Sequence, residues 1–214
     1  MEKIDVISIP FYKFKAESSL IQQVYDDVVK LNFEIENLDQ NSFVYPNFYH
    51  EKLFSFFNDS INEFKNHIFK ENLNFPIVDC WVNKYGRMNK LRKHKHSNSI
   101  ICGLYYVTGH TNKQTSTIFE AENPWTFVNP NISSINLSVN NQNFMQSLKG
   151  EILPEEGTLV LFPPGLFHYM APITKSNEFK YTIAFNTFVD GEISDSNSQI
   201  LSIKSVSMQE RFNK

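Results

Sequence analysis

Cysteine is nearly absent from this chain of 214 residues: Cys80 and Cys102 are the only two. Two thiols cannot build a disulfide framework, and neither belongs to a CxxC pair. Charge of one sign is not in excess. Twenty basic against 23 acidic side chains give a formal net charge of −3, which leaves no electrostatic footprint for a nucleic acid and no single-sign run for an interaction tail. Long apolar runs are missing as well. With a mean hydropathy of −0.34 the chain has no stretch of membrane-spanning length. The segment Met1-Glu2-Lys3-Ile4-Asp5 carries two acids and no apolar region of the secretory kind. The expected compartment is therefore a reducing cytoplasm. No internal repeat or low-complexity block divides the sequence. Glycine is low at 7, but phenylalanine reaches 20. At 41% hydrophobic, the chain can bury one sizeable core and is too short for two comfortable ones.

The first half reads as helical. Ser19-Leu20-Ile21-Gln22 has the S-x-x-Q form of a capping box, and Leu20, Val24, Val28 and Leu31 follow at helical spacing. Pro46-Asn47 breaks the chain. A second apolar stripe of Leu53, Phe57, Ile61, Phe64 and Ile68 predicts a packing helix over about 49–70. From Pro76 the runs become short and strand-like. Strands are expected near 77–84, 90–96, 100–107, 116–121, 158–162 and 179–189, with an Asn-rich surface loop over 129–143. Helices followed by many short strands indicate an α+β fold, an antiparallel sandwich or barrel with helices against one face. The expected organisation is one domain, 1–214: a helical part to about 75, a β core over about 76–190, and a polar tail over 191–214.

Six histidines are present. His50, His67 and His110 sit where surface or capping roles are the default. His94-Lys95-His96 differs, because residues i and i+2 of a strand share a face, so two imidazoles can reach one metal while Lys95 points away. A solvated basic edge strand is the competing reading of the same run. A continuous apolar strand from Gly157, a Pro163-Pro164-Gly165 turn and then His168 would set a third imidazole at the mouth of the sandwich. Three such ligands make a facial metal site with open positions, suited to iron, zinc, copper or nickel. In 179–186, Phe179, Tyr181, Ile183 and Phe185 form a face expected to be core. Lys180, Thr182, Ala184 and Asn186 form a small, hydrogen-bonding face suited to an anionic ligand, with Lys180 supplying charge and Thr182 a hydroxyl.

These residues resemble a family. Trp81-Val82-Asn83, Gly86, His94-Lys95-His96 and Gly103-Leu104-Tyr105-Tyr106-Val107, then Gly157 to Pro163, His168 and 180–186, look like the motif series of the 2-oxoglutarate/Fe(II)-dependent oxygenases of phage and marine bacteria. The resemblance spans Trp81 to Asn186. It implies a double-stranded β-helix (a jelly-roll, cupin-like core) with N-terminal packing helices, ferrous iron as cofactor and 2-oxoglutarate as cosubstrate. The implied reaction uses O₂, releases succinate and CO₂, and usually hydroxylates a C–H bond of a small-molecule or protein substrate.

By position, the resemblance assigns His94, His96 and His168 to the metal. It assigns Lys180, Thr182, Tyr106 and Asn83 to the cosubstrate, and no further catalytic residue. Three departures stand out: Ser97 replaces a proline, Cys102 a serine, and Lys180 an arginine. A lysine cannot make the bidentate fork, so weaker or differently posed 2-oxoglutarate binding is expected. His96 in place of a carboxylate leaves the double positive charge of a divalent metal uncompensated, unless His96 stands behind two ligating histidines. Trp125 and the Asn-rich loop are the expected variable lid. A homodimer is common among such sandwiches, although no segment marks an interface.

Two rivals remain at this level. A cupin-type metal protein without 2-oxoglutarate is supported by the Gly157, Pro163, Gly165 and His168 spacing, but Pro172 stands where that motif ends in Asn, and Ile100 and Ile101 stand where a Glu is needed. A non-enzymatic jelly roll would scatter its histidines, so co-location of His94, His96, His168 and Lys180 discriminates.

Overall fold

Two amphipathic helices and a wide sheet bury each other's apolar faces. Helix α1 (Ser18–Val28) presents Val24 and Val28, and α2 (Glu51–Ile68) presents Leu53, Phe54, Phe57, Ile61 and Phe64. These pack on Tyr105, Leu159, Leu161, Ile183 and Phe185 in one cluster, with Phe57 and Phe185 ring centroids 4.8 Å apart. Each such side chain gains about 1.5–3 kcal/mol of transfer free energy on burial. The structure is a computed structural model that describes residues 9, 11–33, 35–37, 42–68, 73–86, 90–109, 116–121, 149–170, 179–193 and 201–212. His110, Trp125 and the loop over 129–143 lie outside the described residues. Among the described residues no helix is long and apolar enough to cross a membrane.

The strands are β1 (Tyr12–Lys15), β2 (Ile35–Asn37), β3 (Ser42–Tyr45), β4 (Ile77–Tyr85), β5 (Leu91–His94), β6 (Cys102–Tyr106), β7 (Thr117–Glu120), β8 (Lys149–Ile152), β9 (Thr158–Phe162), β10 (Phe167–Met170), β11 (Lys180–Thr187), β12 (Gly191–Ile193) and β13 (Leu201–Ile203); a short helix α3 (Met208–Phe212) follows. A seven-stranded sheet runs β1-β9-β6-β11-β4-β3-β2 and a four-stranded sheet β5-β10-β7-β8. All described pairs in both sheets are antiparallel. From β4 to β11 the chain passes back and forth between the sheets, with β4, β6, β9 and β11 in the large one and β5, the consecutive β7 and β8, and β10 in the small one. This is the double-stranded β-helix, the α+β jelly roll, with both helices on the outer face of the large sheet. The inner faces meet through Leu104, Val160, Phe162 and Ala184 from the large sheet and Phe119 from the small one.

Several expectations are corrected. The capping box does not form: Glu17 is the N-cap, no side chain caps the helix, and Ser19 lies inside it. The helix starts early because Ala16 is pinned as the extension of β1, its amide donating to Gly157 O at 2.9 Å. Phe179 is 49% exposed rather than core, since the strand begins one residue later. The β5 strand ends at His94, short of His96. The segment before 76 also contributes three strands to the large sheet, and β8, β10, β12 and β13 lie where no strand was expected. These are short, and several are polar, so they carry no period-2 signal of their own.

Gly103 stands opposite Phe185 in the β6–β11 register, and a Cβ there would overlap the phenylalanine ring. Gly103→Ala is expected to destabilise the fold by about 1–3 kcal/mol through overpacking. A urea unfolding curve with an unchanged midpoint would contradict this.

Candidate metal centre

The antiparallel pairing of β5 with β10 places His94 directly opposite His168. His96 lies two residues past His94, beyond the strand. Its backbone amide donates to Pro164 O at 3.1 Å, in the turn between β9 and β10, so the extended geometry continues and its ring stays on the same side. Ring centroids lie 4.2 Å apart for His94–His168, 5.0 Å for His96–His168 and 5.4 Å for His94–His96. One nitrogen from each ring lies within 4.8 Å of the others, a separation that suits shared ligation of one ion.

The tautomers follow from the hydrogen bonds. Nδ1 of His94 faces Arg92 O at 2.8 Å, Nδ1 of His168 faces Leu166 O at 3.4 Å, and Nδ1 of His96 faces Asn186 Oδ1 at 2.5 Å. An oxygen of this kind only accepts, so each Nδ1 carries the hydrogen and each Nε2 keeps its lone pair. His96 Nε2 is buried and has no hydrogen-bond partner among the described residues. Burial favours the neutral rings. It lowers the pKa of His94 and His96, and it takes His168 down to about 3 with further help from its two neighbours' positive charge. Neutral imidazoles that converge in this way fit a divalent transition metal. Trp81 stacks on His96 with centroids 5.8 Å apart, and Phe162 and Phe119 flank His168 at 5.1 and 5.8 Å.

The other four expected residues share the inner face of the large sheet. Asn83, Thr182 and Tyr106 are in register across β4, β11 and β6, and Lys180 is the next inward residue of β11, opposite Tyr85. Lys180 is only 4% exposed. Asn83 Nδ2 donates to Thr182 Oγ1 at 3.5 Å, and the Tyr106 hydroxyl donates to Thr117 Oγ1 at 2.8 Å. Burial pushes the Tyr85 and Tyr106 phenols well above their usual range, so both stay protonated donors. A cavity of about 30 Å³ lies among Lys180, Thr182, Tyr106, Thr117, Tyr85 and Met170. Asn83 Oδ1 and Thr158 Oγ1, both on this face, are buried without partners among the described residues.

Tyr85, Thr117 and Thr158 escaped sequence reasoning. Thr117 and Thr158 reach the face through strand pairings that no local pattern reveals. Tyr85 is two residues past Asn83 on the same strand, so period-2 spacing could have found it. His50 caps α2, its Nδ1 accepting from the Leu53 amide at 3.2 Å, and His67 is exposed on that helix. A wider cleft of about 860 Å³ opens where β1 and β8 approach, but among the described residues no histidine lines it, and Glu151 and Glu155 there already bond Ser116 and Lys13.

Solved structures share this architecture. HygX from Streptomyces hygroscopicus, crystallised with nickel and 2-oxoglutarate, is 9% identical with a TM-score of 0.60, over 84% of this chain and 83% of that one. A Pseudomonas putida prolyl-4-hydroxylase is 10% identical with a TM-score of 0.53, over 85% and 94%. The viral collagen prolyl hydroxylase of Paramecium Bursaria Chlorella virus-1 is 15% identical with a TM-score of 0.52, over 83% and 94%. At such identities the likeness is one of fold, the double-stranded β-helix. No curated protein matches the sequence. Residues 79–186, just over half of the chain, match the family described as "Putative 2OG-Fe(II) oxygenase", and the chain belongs to that family. It is a ferrous iron- and 2-oxoglutarate-dependent oxygenase.

The buried histidines generate a pH prediction for the metal-free protein. The unfolded chain binds a proton at His168 near pH 6.5, while the folded chain resists until about 3. Protons therefore favour the unfolded state between those values, and stability should fall as pH drops through that window. His168→Gln should flatten the fall. Equal slopes for the two proteins in urea titrations across the window would contradict it.

Proposed function

We propose that His94, His96 and His168 hold the ferrous ion through their Nε2 atoms, that Lys180 anchors the far carboxylate of 2-oxoglutarate, and that the enzyme hydroxylates a C–H bond of its substrate. The observation carrying this reading is the convergence of three imidazoles, each with Nδ1 facing an oxygen, beside an inner face that buries a lysine. Bound iron supplies the means of activating O₂, coupled to conversion of 2-oxoglutarate into succinate and CO₂.

The chain's own residues orient and exclude. Lys180 offers a point charge rather than a fork, so the carboxylate's angle is set by its neighbours: Thr182 and the Tyr106 hydroxyl, with Asn83 holding Thr182 in place. Three neutral ligands leave the metal's charge uncompensated, which strengthens the hold on an anionic cosubstrate. The cavity beside Lys180 is small, about 30 Å³, and Met170 on its wall is a side chain that adapts readily to a ligand. Phe119, Phe162 and Trp81 limit water at the reacting centre. We assign the whole chain to one catalytic domain working in a reducing cytoplasm, in keeping with two free, buried thiols.

Two measurements test the reading. His94→Ala and His168→Ala should each abolish stoichiometric Fe(II) uptake, and retention of uptake in both would overturn the metal assignment. In anaerobic calorimetry of metal-loaded protein, Lys180→Ala should weaken 2-oxoglutarate binding at least about 30-fold, the cost of removing one partner of a buried charge pair. Unchanged affinity would remove Lys180 from the site.

A further inference from the structure

The three imidazoles are not held alike. His94 and His168 give their Nδ1 hydrogens to main-chain carbonyls two residues before them, Arg92 O and Leu166 O. Those acceptors come with the strand backbone, and no side-chain substitution removes them. His96 alone depends on a side chain, the amide of Asn186, ninety residues away on β11. We propose that Asn186 is the positioning residue of the metal centre. Its carbonyl oxygen holds the Nδ1 hydrogen of His96 and thereby keeps the Nε2 lone pair aimed at the cation, and Cys102 holds the amide in that orientation.

Three observations support the assignment, which rests on the metal site proposed above. The first is tautomeric. If the amide were turned round, its NH₂ would donate to Nδ1 and drive the ring hydrogen to Nε2. That N–H would then be buried without an acceptor, because His96 Nε2 has no partner among the described residues. The second is the neighbour of Asn186. The Cys102 thiol donates to the same Oδ1 at 3.5 Å, and in turn contacts Ser99 Oγ at 3.4 Å. Sulfur is a poor acceptor for an amide N–H, so this contact also favours the oxygen-inward orientation. The third is register. Asn186 pairs with Cys102 across β6–β11, which fixes the amide's height relative to the metal-facing end of the sheet. Trp81 stacks on the His96 ring, with centroids 5.8 Å apart.

Outer partners of ligating histidines typically contribute 10–100-fold in metal affinity. Titration of the metal-free protein with Co(II), followed by its visible absorption and by calorimetry, should show Asn186→Ala about 10–100-fold weaker than wild type. Asn186→Asp, which keeps the acceptor, should bind at or above the wild-type level. Long-range ¹H–¹⁵N spectra of the metal-free wild type should show His96 protonated on Nδ1. In Asn186→Ala that proton should shift toward Nε2, a change that mere loosening of the fold would not produce.

The inference is overturned if Asn186→Ala binds Co(II) like wild type, if Asn186→Asp is as weak as the alanine variant, or if wild-type His96 carries its proton on Nε2. Should Asn186→Ala fail to fold, Asn186→Asp and the wild-type tautomer decide. A wild type that takes up no Co(II) would instead fail the metal site itself, and this inference with it.

Discussion

The pairing of β5 with β10 is the constraint on which the site depends. Those strands are far apart in sequence, and only their register brings His94 face to face with His168. A slip of one residue would turn one imidazole to the outer face of the small sheet. The register is held from both sides. On one flank β10 is locked to β7 by four consecutive pairs, His168 opposite Phe119 among them. On the other, Lys93 bonds Glu120 across the outer face, and both Lys93 and Lys95 lie over the Phe167 ring. The basic run around the H-x-H motif is thus tied down on its outward side while its histidines turn inward. The solvated-edge reading and the metal reading of this segment describe its two faces.

Burial does two jobs in the cluster, and they are physically the same. Desolvation that makes a charged imidazole costly also empties the site of competing donors for its lone pairs. In the metal-free fold this leaves at least one ring nitrogen orphaned, and a buried polar atom without a partner costs on the order of 1–3 kcal/mol. Binding sites commonly carry such a local debt. Here the apolar rings of Trp81, Phe119 and Phe162 beside the histidines would magnify the attraction between a cation and an anionic cosubstrate.

Much of this was legible in the chain, for identifiable reasons. The i, i+2 spacing of His94 and His96, and the alternation along β11 that separates Lys180 and Thr182 from Ile183 and Phe185, are local consequences of the strand period. So are the two helical stripes, whose apolar residues pack as expected except for Ile68, which is 43% exposed as the last residue of α2. What escaped was set by partners far along the chain. Thr117 and Thr158 meet the cleft through strand pairing, the acceptor role of Asn186 exists only once His96 is beside it, and the S-x-x-Q motif was outcompeted by the backbone bond from Ala16 to Gly157. Phe179 misled because alternation says nothing about where a strand starts.

Strand β11 joins the two halves of the chemistry. Asn186 stands near one end of it behind a metal-facing imidazole, and Lys180 stands at the other in the cleft, six residues and roughly 20 Å of extended chain away. The strand lies between β4 and β6 in the middle of the large sheet, with Ile183 and Phe185 fully buried beneath the helices. An edge strand carrying the same residues could twist or slip and change the separation of anchor and metal. A central strand clamped by Phe57 cannot, so the spacing between the two sites is a property of the core. In the assignment proposed above, that rigidity is what lets a lysine stand where the family pattern has an arginine: a flexible point charge gives up angular control, and Thr182 and Tyr106, in fixed register alongside, would supply the orientation of the missing fork.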